Sequence, residues 1–229
     1  MNSFSEYNTG ISIQVSLSGY SFKVEDDGAV TESGWRGADT VFTAPEFQRR
    51  YRHVEVSLFT PKVALVPRTF FDESTARQSL ADTVVIGDGD EVSHASLPEY
   101  AAELVYSLSI GEMLSRTISQ AVLDFDGRPA EILPEMYYIL KDLQNIDEYN
   151  RIIASYAAGY LHLGISQGRN LLLANVFRAS DFTTAEYFLF MAVRKLQLNP
   201  EVSSVYFRTP LTEEEEMSLY RYFKSVERL

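Results

Sequence analysis

The sequence predicts an α/β protein built from two related lobes. Two alternating strands around a tight turn occur twice, once over residues 11–24 around Ser18 and Gly19, and once over residues 160–177 around 167–170. Each hairpin is followed by a pattern of helix, strand and second helix. A duplicated hairpin with trailing α/β units is typical of two copies of one architecture.

The first half opens with strands whose alternate residues are apolar. Ile11, Ile13 and Val15 alternate with polar residues, which is the period of a strand with one buried face. Thr43 can cap a helix, since Glu46 lies three residues on and Pro45 is tolerated in the first turn. The further elements expected here are strands over 29–35, 53–59, 62–66 and 83–86 and a helix over 68–80.

An acidic loop at residues 88–91 is the candidate boundary between the lobes. We expect a first lobe over residues 1–90 and a second over 91–229, with the boundary between 85 and 100. The stretch 97–122 fits two patterns: a helix through Leu97, Ala101 and Leu104, or a strand near 104–110 followed by a helix near 111–122. We favour the strand followed by the helix.

The second half has clearer signals. Pro134 opens a helix to about residue 145, and residues 151–166 and 171–177 read as strands. Capping boxes beginning at Thr183 and Thr212 open two later helices, with a strand over 203–207 between them. The glutamates at 213–216 then lie at the positive end of the last helix dipole, so we interpret them as a stabilised helix start rather than a metal site.

Composition excludes several classes of function. The chain of 229 residues has a formal net charge of −12, which disfavours binding to nucleic acid and to anionic membranes. It has no cysteine, which excludes disulfides, thiolate metal sites and cysteine nucleophiles. Arg49, Arg50 and Arg52 form a small basic cluster that we interpret as a helix end. With no signal peptide and no long apolar run, we expect a cytoplasmic protein.

Three segments of the chain carry a resemblance to a known family: residues 11–22, ISIQVSLSGYSF; residues 60–67, TPKVALVP; and GYLHL at 159–163 with LLL at 171–173. They resemble a bacterial family of unknown function that has an actin-like ATPase fold. The resemblance spans nearly the whole chain and implies two ribonuclease-H-like lobes with mixed sheets and a cleft between them. Its motifs are structural rather than catalytic.

The resemblance also implies where a nucleotide would bind. In active members of the wider superfamily, aspartates in the hairpins position Mg²⁺ and water, while turn amides hold phosphate. Neither hairpin predicted here contains an aspartate, and the strand end at 206–208 lacks a glycine pair. We therefore expect no metal and no catalytic residue, with ATP and Mg²⁺ disfavoured. Any small anion would contact the turns, through the following residues: Ser18, Gly19, Gln167, Gly168 and Arg169.

Other catalytic patterns are weaker. Asp124 and Asp126 resemble the nucleophile loop of haloacid-dehalogenase-type phosphatases, but Arg128 and Pro129 replace the expected Thr, and Asp-Gly is also a common turn. Asp88 and Asp90 lack the ligand spacing of a calcium loop. The three histidines, His53, His94 and His162, are too scattered for a metal motif. Residues 164–168 match Gly-x-Ser-x-Gly at a hairpin rather than at a strand–helix turn, so we interpret the match as chance.

The sequence thus favours a non-catalytic binding or scaffold protein, with an unidentified protein partner or self-association. The alternatives are a nucleotide-binding ATPase that uses unfamiliar residues and, more remotely, a phosphatase centred on Asp124 and Asp126.

Overall fold

A computed structural model describes residues 9–109 and 112–229. Its strands are β1 (Thr9–Ser16), β2 (Gly19–Asp26), β3 (Ala29–Glu32), β4 (His53–Leu58), β5 (Val63–Pro67), β6 (Val92–Leu97), β7 (Ala102–Ser107), β8 (Ile132–Pro134), β9 (Asn150–Ala157), β10 (Tyr160–Gln167), β11 (Asn170–Arg178), β12 (Ser204–Phe207) and β13 (Ser225–Arg228). Its α-helices are α1 (Ala76–Ala81), α2 (Glu112–Ala121), α3 (Glu135–Asp142), α4 (Phe182–Lys195) and α5 (Glu213–Tyr220).

The first sheet has the strand order β3-β2-β1-β4-β8. β1 runs antiparallel to β2 and parallel to β4, so the sheet is mixed. Ile11, Ile13 and Val15 of β1 are buried, as their alternation predicts, and Val56 of β4 and Ile118 of α2 are buried in the same unit. A compact unit is formed by residues 9–59 and 112–133 of the described chain.

The second sheet repeats this order with the strands β11-β10-β9-β12-β13. β10 is antiparallel to both of its neighbours, and β12 is parallel to β9 and β13. The other compact unit, residues 60–109 and 134–229, contains this sheet and a three-stranded sheet, β5-β7-β6. Two mixed sheets with the same strand order, and with the same relative directions in their first four strands, confirm the predicted duplication.

The sheet order corrects which hairpins correspond. β9 takes the place of β1, so Ala158 and Gly159 form the turn equivalent to Leu17 and Ser18, the two residues that precede Gly19 at the start of β2. The turn after Gln167 joins β10 to β11 and corresponds instead to the turn at 27–28, between β2 and β3. The sequence pattern had matched the first hairpin with β10 and β11 instead of β9 and β10. The reason is that β9 and β10 are both apolar and that a single glycine is the main turn signal between them. The division into lobes at residue 90 stays a prediction.

Several local elements differ from expectation. Residues 83–86 form no strand, and the helix expected over 68–80 is two 3-10 turns followed by α1. The helix expected at Thr43 is a 3-10 turn, Pro45–Gln48. Asp181 caps α4 instead of Thr183, because its carboxylate accepts the Thr184 N–H at 2.7 Å.

Other local expectations are confirmed. Thr212 and Glu215 form a complete capping box on α5. β7 followed by α2 confirms the strand and helix favoured within 97–122, although residues 110 and 111 lie outside the described residues. Both elements therefore follow the local pattern of the sequence.

Candidate functional site

The turn between β1 and β2 satisfies its own polar groups. Ser16 Oγ donates to the Gly19 carbonyl at 3.3 Å and accepts the Ser18 N–H at 3.3 Å. Tyr20 and Arg36 exchange backbone hydrogen bonds at 2.9 and 2.7 Å. A Cβ on Gly19 would lie 2.0 Å from the Arg36 carbonyl oxygen, so this glycine is required for the close approach of two backbone segments. The need for glycine here is structural and does not require a phosphate.

The turn between β10 and β11 is also tied to its own unit. The Gly168 N–H donates to the Tyr149 carbonyl at 2.8 Å, and the Gln167 amide donates to Asn150 Oδ1 at 3.0 Å. Arg169 is exposed. One of the amides expected to bind an anion is therefore already used, and the role of these turns as anion contacts stays a prediction.

Sequence reasoning missed the turn at Ala158 and Gly159, which the sheet order places at the position of the first hairpin. Both residues have positive φ, 50° and 81°, as in a two-residue type I′ turn. The turn and its flanking strand ends, SYAAGY at 155–160, carry no carboxylate. The corrected correspondence thus strengthens the inference from the missing aspartates. The available signal was the Ala-Ala-Gly between two apolar strands.

The end of β12 holds a buried ion-pair network. Arg208 Nε donates to Glu135 Oε1 at 3.0 Å, and Arg208 also bonds Asp142. Ser155 Oγ donates to the same Glu135 oxygen at 2.5 Å. The guanidinium lies 5.2 Å from the centre of the Tyr138 ring. Glu135 is completely buried, so these hydrogen-bonding partners replace the water that its carboxylate loses on folding.

Arg208 lies at the end of β12, where the sequence lacks a glycine pair. Arg208 follows the last residue of β12 and its N–H donates to the Ala154 carbonyl at 3.1 Å. The side chain occupies the strand end with a guanidinium whose bonds go to Glu135 and Asp142. Arg208 thus joins the end of β12 to two carboxylates of α3, and Ser155 joins β9 to the same group. These contacts give the network a structural role.

The described residues contain no group of three or more histidine, aspartate or glutamate side chains arranged to hold a metal ion. His162 is fully buried, and that burial lowers its pKa to about 3, so the imidazole is neutral near pH 7. His94 Nδ1 lies 3.4 Å from Glu103, and its ring packs on Phe71. These positions agree with the interpretation of the histidines as scattered residues.

The Asp90 carboxylate accepts hydrogen bonds from three groups of the protein itself. They are Lys62 Nζ at 2.6 Å, the Gly87 N–H at 2.6 Å and Ser107 Oγ at 2.7 Å. These bonds, above all the one from Lys62, lower the pKa of Asp90 to about 2. The acidic loop is thereby fixed to the three-stranded sheet.

Asp124 and Asp126 lie in a turn instead of a phosphatase nucleophile loop. The Asp124 carboxylate accepts the Arg128 N–H at 2.8 Å, and Asp126 pairs with the Arg128 side chain at 3.5 Å on the surface. The chain enters this turn from α2, whereas the nucleophile of that superfamily ends a strand. The turn interpretation is therefore supported.

The Gly-x-Ser-x-Gly match also has no catalytic geometry. Ser166 lies inside β10, is fully buried, and its Oγ has no hydrogen-bond partner among the described residues. A nucleophile must reach a substrate and a base, and this hydroxyl reaches neither.

Two arginines of the basic cluster bind within their own unit. Arg49 pairs with Asp26 at 2.8 Å, and Arg50 donates to the Asp124 carbonyl at 3.1 Å. These two arginines therefore connect surface loops. The element before the cluster is a 3-10 turn rather than the expected α-helix.

Comparison with solved structures defines the class of protein. A structure from Bacteroides thetaiotaomicron VPI-5482, a protein with an actin-like ATPase fold and unknown function, matches with a TM-score of 0.66 and 16% identity over 100% of this chain and 94% of that chain. A chain of the PilM-PilN type IV pilus biogenesis complex matches with a TM-score of 0.51 and 14% identity, over 96% and 88% of the two chains. The chain thus has an actin-like ATPase fold.

The family follows from the sequence match. The chain belongs to the family of proteins of unknown function DUF3822, whose model matches residues 2–226. A search among curated proteins finds no match. No helix in the described part of the chain is long and apolar enough to cross a membrane.

Proposed function

We propose that this protein is a non-catalytic binding or scaffold protein that has the actin-like architecture without the residues of ATP hydrolysis. The observation that carries the proposal is the absence of a carboxylate from both equivalent first turns, at Leu17–Ser18 before Gly19 and at Ala158–Gly159. Mg²⁺ prefers carboxylate and water oxygens, so serine and alanine at these positions are poor replacements.

The end of β12 supports the same conclusion. Arg208 and its partners Glu135 and Asp142 occupy the strand end where a glycine pair would leave room for a nucleoside. The net charge of −12 favours a protein partner over nucleic acid or an anionic membrane. The PilM-PilN complex is a precedent for this fold in a protein assembly. A cytoplasmic location is part of the proposal.

Calorimetric titration with ATP and Mg²⁺ tests the proposal, at protein concentrations that detect a sub-millimolar dissociation constant. We expect no heat of binding and no phosphate release. Saturable binding with turnover would overturn the proposal in favour of an ATPase that uses unfamiliar residues. The Ser18→Ala and Arg169→Ala variants would then show whether the predicted turns make the contacts, and Asp124→Asn would test the phosphatase alternative.

A further inference from the structure

The open edge of the second sheet is formed by β11, a strand of nine residues. β11 pairs with β10 on one side, and within residues 9–109 and 112–229 no strand pairs with its other side. A strand at a sheet edge presents a row of N–H and C=O groups to which another strand can bond.

The register identifies these outward groups. Ala179 N–H donates to the Gly159 carbonyl at 2.8 Å, which continues the β10–β11 pairing by one residue. Since bonding alternates along an antiparallel strand, Asn175 and Phe177 bond towards β10. Ala174, Val176 and Arg178 therefore direct their backbone groups away from the sheet.

Packing holds this edge in an extended conformation. Phe177 stacks on Phe188 of α4 with ring centroids 5.0 Å apart, and Leu173 packs on the same core. Ala174 and Val176 pack on the core that contains α3. A partner strand would meet a preformed edge, so β11 itself would lose little conformational entropy on binding.

Charge indicates what the partner carries. Residues 151–180 contain no aspartate or glutamate, although the chain as a whole has 32. Arg169 and Arg178 lie at the two ends of β11 and are exposed, and the described residues give neither guanidinium an ion-pair partner. The edge is thus apolar in its centre and positive at both ends, within an acidic protein.

We infer that β11 binds an extended segment of another protein, with alternating apolar residues and a carboxylate near each end. This inference rests on the proposed function, to which it adds the chemistry of the partner. The carboxylates would pair with Arg169 and Arg178, and the backbone would bond Ala174 and Val176.

A second copy of this chain fits less well. Two β11 strands paired antiparallel about Ala174 would place Arg178 opposite Asn170 and next to Arg169 of the other copy. Like charges would meet at both ends of the pairing, and two chains of net charge −12 would approach each other.

The experiment selects peptides from a phage-displayed random library of about twelve residues, long enough to cover the strand, on the full chain. We expect enrichment of alternating apolar sequences with acidic ends. Selected peptides should bind Arg169→Glu/Arg178→Glu at least about fivefold more weakly, since two ion pairs are reversed. Arg52→Glu/Arg128→Glu makes the same charge change at two exposed residues of the other unit and should bind as the wild type does.

Proline substitutions test the backbone contacts. Ala174→Pro removes an outward N–H and should abolish peptide binding while β10 pairing is kept. Asn175→Pro, one residue on, removes an inward N–H and should lower the melting temperature. If Ala174→Pro does not fold, hydrogen exchange on the wild-type chain decides, because peptide binding should slow exchange of the Ala174, Val176 and Arg178 amides.

Three results would overturn the inference. They are no enrichment, peptides that bind all variants equally without protecting β11, and a concentration-dependent dimer that Ala174→Pro abolishes, which would assign the edge to a second copy. ATP turnover in the calorimetric experiment would instead refute the proposed function, so the two failures are distinguishable.

Discussion

Replacing Asp90 by asparagine should destabilise the protein in a strongly pH-dependent way. Asparagine keeps the size of the side chain and one acceptor oxygen but removes the charge that binds Lys62 Nζ at 2.6 Å. The Asp90 side chain is only 7% exposed, so solvent screens this pair weakly. The fall of its pKa from 3.8 to about 2 corresponds to about 2 kcal/mol of stability at neutral pH, since a tenfold change in proton affinity is about 1.4 kcal/mol.

The direction of the pH dependence follows from the lowered pKa. The charged form is favoured by folding, so the contribution is complete above the unfolded pKa of 3.8. It is lost as the pH falls through the folded pKa of about 2. Urea unfolding of wild type and Asp90→Asn at pH 7, 5, 4 and 3 should therefore show a difference that is constant near neutrality and shrinks below about pH 4.

Asp88→Asn is the matched control, because Asp88 lies in the same loop and is exposed. It should change the free energy of unfolding by no more than about 0.5 kcal/mol. The reasoning is refuted if the Asp90→Asn difference stays the same from pH 7 to 3, or if Asp88→Asn destabilises the protein equally.

Two further predictions concern the sheets, each checked by urea unfolding at pH 7. Ser16→Ala should lower the free energy of unfolding by about 1 kcal/mol, because the Ser16 Oγ donates to the Gly19 carbonyl. Ser166→Ala should leave the stability unchanged or raise it, because the buried Ser166 Oγ has no partner among the described residues. Equal losses of stability in the two variants would contradict this prediction. Gly164→Ala should lower the free energy of unfolding by about 1–3 kcal/mol, since the added Cβ would lie 2.5 Å from Ile139 Cγ2. An unchanged midpoint of urea unfolding would contradict this and would show that α3 can move away from the new Cβ.

The strand pattern was accessible to sequence reasoning because it is local. Alternation of apolar residues identified β1, β2, β10 and β11, and the capping box at Thr212 identified the start of α5. Each of these signals depends on neighbours within a few residues. The 3-10 turns near residues 45 and 70 were missed because the signals of helix initiation also fit a helix that stops after one turn.

The candidate site could be predicted only in part, because only its local features are visible in the sequence. The absence of aspartates from the predicted hairpins is visible in the order of residues, and it holds for the corrected turn at Ala158 and Gly159 as well. Which turn corresponds to which could not be read, since it depends on β9 pairing with β12, about fifty residues later in the chain. The missed strand β13 likewise depends on a distant partner.

By itself the sequence determined the fold class, the duplication and the absence of carboxylates from the two first turns, because periodicity and residue type are properties of short segments. The tertiary structure alone decided that Arg208 meets Glu135 and Asp142, that Asp90 meets Lys62, and that β11 is the outermost strand of its sheet among the described residues. Burial, ion pairing and strand order arise from contacts between residues far apart in the chain, and no local pattern records them.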